Sequence, residues 1–372
     1  MKTEKQYMVM KIITTIVVCF CSFLLRAQIP LLNSYPAASA TIYLDFDGQS
    51  VEGTIWNQRG IINADSTELS SNDIREIFNR IANDYHPFNL NITTDPSVFE
   101  KAPVMQRMRI IFTPTSRWYG NAAGAACVGS FTWGDDTPGW VFTSLLGDNP
   151  KFIAACASHQ IGHTLGLQHQ SVYDSHCGKI ADYNGGAGTI DNGWAPIMGI
   201  GYYENCTVWQ TGPSAAGCDS LQRDADIIAG NKNNFGFRID DCGDDYTKSE
   251  PVEMYDRHLS VRGVINSLSD KDAFSFRIEQ RVELQLNFVP GDLTGPDGEP
   301  NIEVSLLSGD GKIIGNYKPA TLKYMGIDKM LEPGRYYLVV TEKDQEHFDK
   351  PLFYAFSGSI KTEDQLKQFA RD

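Results

Sequence analysis

Residues 159 to 169 read HQIGHTLGLQH, and three of the seven histidines in the chain fall in that window. His159 and His163 stand four residues apart, so on an α-helix they sit one turn above each other, about 6 Å apart on one face. Two imidazoles so placed can grip one divalent cation. Gly166 follows three residues later and can adopt the positive φ that ends a helix, which lets the chain turn back and bring His169 in from another side. Three nitrogen ligands with a fourth position open are the arrangement of a catalytic zinc site rather than a closed structural one. Histidine pairs at i and i+4 also arise on solvated helices, but three in one window, with a helix-ending glycine in register, point to zinc.

The residue after the first histidine of such a pattern is where a glutamate acts as general base, taking a proton from water and returning it to the leaving amine. This chain has Gln160 there. A carboxamide has the shape of glutamate and can hydrogen-bond to water or peptide, but it cannot take up the proton. Loss of general-base action alone is worth about 10²- to 10⁴-fold in rate. Three readings of Gln160 stay open: a substitution that traps substrate, a pseudoenzyme that binds peptides, or a peptidase that uses another base.

The elements that must hold these residues are legible as periodicities. TIYLDFDG (41 to 48) alternates like a strand, and SNDIREIFNRIANDYHPF (71 to 88) repeats apolar residues at helical spacing, with Ser71 or Asn72 as its cap and Pro87 as its end. NLNIT, RMRIIFT, CVGSFT and WVFTSL are strand candidates, and a second helix opens at Asp148-Asn149-Pro150, carrying the histidines. These predict a mixed α/β domain. After residue 250 the helical period gives way to AFSFRI, VELQLNFV, IEVSLLS and RYYLVVTE, separated by PGD, GPDG, GDG and EPG turns. That pattern predicts a β-sandwich of about 110 residues.

HQIGHTLGLQH resembles the HExxHxxGxxH signature of metzincin zinc peptidases at every fixed position except the glutamate, and PIMG with Met198 resembles their Met-turn. YLDFDG, NDYHPFNLNITTDP and WAPIMGIGYY are similar to the secreted bacterial reprolysin-like group, over roughly residues 40 to 235. The second domain resembles the bacterial prepeptidase C-terminal (PPC) module, through DAFSFRI and EPGRYYLVV. The resemblance implies an α/β (α+β) metzincin-like catalytic domain, with a mixed twisted sheet and an active-site helix, followed by an all-β sandwich without catalytic role. It implies His159, His163 and His169 as zinc ligands, Met198 as a floor that does not bond the metal, and hydrolysis of peptide bonds by water activated on zinc. It also implies that an upstream strand pairs with an extended peptide. Val128, Gly129, Ser130 and Phe131, in CVGSFTW, are the candidates for that strand. The sequence departs from the pattern at Gln170, which follows the third histidine, and at Ile200, two after the methionine, where some relatives place a tyrosine ligand. Tyr202 and Tyr203 are close but out of register.

Composition bounds the rest. The chain has 372 residues, 42% hydrophobic and 11% aromatic, enough for a sizeable core and two domains. A net charge of −14 disfavours a nucleic-acid partner, which needs a clustered positive surface. Lys2, Lys5 and Lys11 precede an apolar stretch from Ile12 to Leu25, 14 residues long, which reads as a signal peptide rather than a span of roughly 20 residues. The expected product is therefore secreted or periplasmic, without a membrane span after cleavage, and acts on a peptide or protein. The expected boundaries are a signal over 1–27, an N-terminal segment over 28–40, a peptidase-like domain over 41–239, a linker over 240–251, the sandwich over 252–361 and a tail over 362–372. Cys127, Cys156, Cys177, Cys206, Cys218 and Cys242 are an even number in an oxidising compartment and predict disulfides stapling the first domain, with the pairing open. Asp45 and Asp47 are weak calcium candidates; GPDGEPNIE does not fit an EF-hand loop. Either a zinc metalloendopeptidase or a zinc-containing pseudopeptidase that captures a ligand fits these features.

Overall fold

Strands buried on both faces build the first domain. The computed structural model describes residues 29–187, 194–204, 206–240, 242–252, 254–255, 257–265, 269–289, 302–317, 326–342 and 352–362. The expected signal, residues 363–372 of the expected tail and most of GPDGEPNIE lie outside them. Strands β1 (Ala40–Asp45), β2 (Leu90–Thr93), β3 (Arg107–Thr113), β4 (Gly124–Ala125) and β5 (Gly139–Phe142) form one sheet in the order β2-β1-β3-β5-β4. All pairings are parallel except the last, so the sheet ends in a short antiparallel edge. Met108, Ile110 and Phe112 of β3 face one core while Ile111 faces the other, as a strand's two-residue period requires.

Helices α1 (Ser71–Asp84) and α2 (Pro150–Thr164) cover the first of those faces. In α1 Ile74, Ile77, Phe78 and Ile81 recur at helical spacing and are buried. Its cap is Ser70 rather than Ser71 or Asn72, because Ser70 and Asp73 form a reciprocal capping box, and the helix ends at Asp84 before Pro87 is reached. Asn149 caps α2 and Pro150 occupies its first turn, as the sequence predicts. Buried residues surround α2, which makes it a core helix rather than an amphipathic one. Across the sheet, Trp140 and Phe142 pack with Ile111 under Trp56 and Trp118.

CVGSFT is not a strand. Gly129 takes φ +78°, and Ser130–Thr132 follow as a single 3-10 turn that buries Phe131 against Phe235. The positive φ breaks the extended run, so the sheet edge falls at Gly124–Ala125 instead.

The second domain consists of two five-stranded sheets. One orders β6 (Glu250–Pro251), β9 (Lys271–Ile278), β14 (Gly334–Glu342), β11 (Ile302–Ser308) and β12 (Ile313–Tyr317); the other orders β7 (Met254–Tyr255), β8 (His258–Ile265), β15 (Leu352–Thr362), β10 (Val282–Val289) and β13 (Gly326–Leu331). A shared core runs between them from Leu259 to Phe356. Cys242, placed by sequence in the first domain, belongs to this core, and Glu250–Pro251 pairs with β9. The segment read as a linker is therefore largely docked. Val264 of β8 reaches the first domain's core, and Val208 packs with Ala355. No described helix is long and apolar enough to cross a membrane.

The disulfide expectation is corrected. Cys177 and Cys218 are bridged, but Cys127 and Cys156 are free thiols. Cys156 is fixed and buried inside α2, not on a surface loop that could bring a second cysteine to it. The side chain of Cys206 is outside the described residues.

Candidate metal centre

His159 and His163 project from the last two turns of α2, with ring centroids 4.7 Å apart. The helix then stops in a Schellman arrangement: Leu167 N donates to Gly162 O at 3.0 Å, Gly166 N donates to His163 O at 2.9 Å, and Gly166 takes φ +107°. The chain returns and sets the His169 ring 4.8 Å from His163 and 5.1 Å from His159. One potential ligand atom from each of the three lies within 4.8 Å of the other two.

The outer nitrogens are fixed by backbone. His159 Nδ1 donates to Ile197 O and His163 Nδ1 to Leu167 O, both at 2.8 Å. Donation from Nδ1 leaves the lone pair on Nε2, the atom that faces inward. His163 Nε2 and His169 Nε2 are 3.1 Å apart. A tetrahedral zinc with Zn–N near 2.0–2.1 Å sets its ligand nitrogens roughly 3.3 Å apart, so these imidazoles fit a shared ion. Burial drives all three below the usual histidine range, well below for His159 and to about 4 for His163. Repulsion from the neighbouring rings adds to this at His159 and His163, while Asp182 opposes it at His169; the neutral ring is the form a metal takes.

Supports converge on His169 and Met198. Gln168 and Gln222 exchange two hydrogen bonds, at 2.8 and 2.7 Å, which pin the segment before His169. After it, Gln170 N donates to Met198 O at 2.8 Å, and Gln170 Nε2 reaches Asp224 Oδ1 at 3.0 Å. Burial pushes Asp224 up to about 7 against the pull of its amide donors. Met198 is fully buried beneath α2, and a Cβ on Gly162 would lie 2.5 Å from its sulfur, so that glycine is what lets the methionine approach.

Gln160 lies in the same helix, 8% exposed, with its side chain turned to the sheet edge. A Cβ built on Gly124 would meet Trp140 O at 2.7 Å, Gln160 Cγ at 2.8 Å and Cys156 Sγ at 2.9 Å, so the side chains of α2 touch β4 backbone directly. Cys156 interacts with Gln160 and Tyr202; burial pushes its thiol up to about 12 and raises the Tyr202 phenol further. Tyr202 and Tyr203 both turn onto Phe152, so neither replaces the ligand tyrosine of some metzincins.

Tyr183 is the aromatic that sequence reasoning missed. Its ring is 4.4 Å from His169 and 6.2 Å from His159, and burial raises its phenol. It sits in an irregular loop between His169 and Met198, where no period or motif marks it.

Of the remaining candidates, Val128 is exposed while Ser130 and Phe131 are buried, so the four residues from Val128 to Phe131 do not offer a peptide-pairing edge. Asp45 is fully buried and its Oδ2 is held by Arg109 Nη1 at 2.6 Å, a cation already in the place of calcium. Burial, with the Asp47 side chain next, raises Asp45 to about 7.

No protein-family model matches the chain, and no curated protein does. Among solved structures, the pre-peptidase C-terminal domain of a collagenase from Bacillus anthracis is similar over 30% of this chain and 94% of its own, at 12% identity and a TM-score of 0.23. PliG, a periplasmic inhibitor of g-type lysozyme, is similar over 30% of this chain in two forms: from Aeromonas hydrophila (96% of its own length, 12% identity, TM-score 0.24) and from Salmonella Typhimurium (97%, 15%, 0.21).

Proposed function

We propose that this chain is a secreted zinc metalloendopeptidase of metzincin-like design, working slowly because Gln160 stands where the general base belongs. The observation that carries the reading is the convergence of three imidazoles above the buried Met198, with the outer nitrogens of two of them, His159 and His163, tied to backbone carbonyls. His159, His163 and His169 would hold the zinc through Nε2. Zinc with an open position supplies Lewis acidity toward a carbonyl and lowers the pKa of water.

The chain's own residues supply the rest. An extended peptide adds to the free edge of β4, the last strand of the sheet, where Gly124 and Ala125 offer backbone without bulk. Gln160, against that strand, donates or accepts one hydrogen bond and orients the peptide or a water, but it holds no proton to transfer. Tyr183, over His169, closes one side of the site and presents a phenol that stays protonated at neutral pH.

A specific observation favours a second reading, a pseudopeptidase that binds peptide without cutting it. The titratable groups around Gln160, namely Cys156, Tyr202 and Tyr183, are all held in their protonated forms by burial, so none takes over as base. Asp182 is exposed and paired with Lys179 at 3.3 Å.

The test is zinc analysis followed by peptide-library cleavage with the chain and with Gln160→Glu. The expected outcome is about one equivalent of zinc in both and a gain of about 10²- to 10⁴-fold in kcat/KM for the glutamate variant. Zinc and peptide binding with no cleavage by either would favour the binder, and metal-free protein would dismiss both readings.

A further inference from the structure

The end of α1 carries a buried carboxylate that pairs with a cation of the second domain. Asp84 is 5% exposed. Its Oδ2 accepts from the Ser158 hydroxyl at 2.5 Å, its backbone carbonyl accepts from Trp209 Nε1 at 2.6 Å, and its Oδ1 pairs with the Arg262 guanidinium. Arg262 comes from β8 of the second domain and is 3% exposed. It sits on the face of β8 that also sends Val264 into the first domain's core. A charged side chain this deep is tolerated only when paired, and burial pulls Arg262 down to about 9.

We propose that Arg262 is a positioning residue of the metal centre, through which the second domain locks His159 in place from two directions. The first direction runs through the helix: Arg262 holds Asp84, Asp84 holds the Ser158 hydroxyl, and Ser158 precedes His159. The neighbouring Tyr85 hydroxyl donates to Ser158 O at 2.9 Å and fixes the same turn. The second runs through the segment that orients the ring. Arg262 Nη2 donates to Thr207 O at 2.8 Å, the next residue, Val208, accepts from Ile197 N at 2.8 Å, and Ile197 O receives His159 Nδ1 at 2.8 Å. The two paths close a ring whose only member from the second domain is one guanidinium. Its planar fork of donors serves both arms at once, which a lysine ammonium cannot reproduce in the same geometry.

The inference rests on the zinc reading above and differs from a plain domain fastener in what it predicts. A fastener changes stability alone. A positioning residue changes the metal site in protein that is still folded, as partners behind metal ligands typically do, by 10- to 100-fold in affinity.

The test uses the full chain with Arg262→Met, Ser158→Ala and the double substitution Arg262→Met/Asp84→Asn, which removes both buried charges together. Zinc affinity is read by chelator competition and ligand geometry by the visible absorption of the cobalt(II)-substituted protein; unfolding is followed in parallel. Expected are zinc affinities about 10- to 100-fold weaker in Arg262→Met and in the double variant, a smaller loss in Ser158→Ala, and an altered cobalt spectrum in all three. Stability should recover in the double variant while zinc affinity does not. Should Arg262→Met fail to fold, the other two variants carry the comparison. Wild-type affinity and an unchanged cobalt spectrum in folded Ser158→Ala and the double variant would overturn the proposal while leaving the zinc reading intact. A wild-type chain that takes up no zinc would overturn both.

Discussion

Two backbone carbonyls decide the chemistry of the site at the scale of single residues. Ile197 O and Leu167 O hold the Nδ1 protons of His159 and His163, so the tautomer is set before any ion arrives. Burial does the second half by disfavouring the charged rings. A lowered histidine pKa means that protons compete with metal only at low pH: the ring is neutral above its folded pKa and is lost as a ligand as pH falls through it. Zinc content, measured by atomic absorption after dialysis, is therefore expected to stay constant from about pH 8 to below the ordinary histidine value of 6.5 and to fall as pH approaches about 4, where His163 titrates. Half-loss of zinc at or above pH 6.5 would contradict the burial argument. Gln160 has no such titration, so any pH dependence of turnover that appears only in Gln160→Glu belongs to the introduced carboxylate.

Packing between elements explains why α2 tolerates so few changes. It is surrounded by β4, β5, α1 and the segment around Met198, so its small residues face neighbours at contact distance. Gly162 has helical backbone and needs no unusual φ; what it needs is the absence of a Cβ above Met198 Sδ. Gly162→Ala is expected to force the helix and the methionine apart, at about 1–3 kcal/mol, the usual range for overpacking a core. Thermal unfolding should register this as a fall of about 1–2 °C for each kcal/mol in a chain of this size that unfolds as one unit. Adding Met198→Ala should recover part of the loss by removing the clash. Equal unfolding temperatures for Gly162→Ala and the parent chain would mean that this contact is looser than the structure has it. The helix itself was legible, since Asn149-Pro150 is a start signal and Gly166 a stop. The sheet edge was not: CVGSFT has strand composition, yet Gly129 N donates to His163 O at 2.8 Å and bends the run into a turn against α2.

Across the whole molecule, the second domain is a structural partner of the first. Val264 lies in the first core, Ala355 meets Val208, and Arg262 meets Asp84 with both nearly water-free. Domains joined by apolar contacts share their stability, because opening the interface exposes apolar surface of both halves to water. Calorimetry is expected to give one cooperative transition for the full chain, with calorimetric and van't Hoff enthalpies in agreement. Two resolved transitions would show that the interface contributes little. The buried Arg262 leaves a faint trace in the sequence, as a lone charge within VRGVI, a run otherwise fit for a core. Its partner leaves none, since Asp84 at a helix end reads as an ordinary surface residue.

By itself the sequence determined what depends on local spacing. Histidines four apart must share a helix face, a glycine three further on can end that helix, and alternating apolar residues must form strands. The type of each domain follows from those periods, and the glutamine beside the first histidine of the cluster, Gln160, is visible letter by letter. Tertiary structure decided what depends on residues far apart in the chain meeting in space. It chose Gly124–Ala125 over residues 128–131 as the sheet edge, bridged Cys177 to Cys218 while leaving Cys127 and Cys156 free, brought Tyr183 over His169, and joined Arg262 to Asp84. Local periodicity carries no information about such pairings, because their energy comes from burial and contact that exist only once the chain has packed.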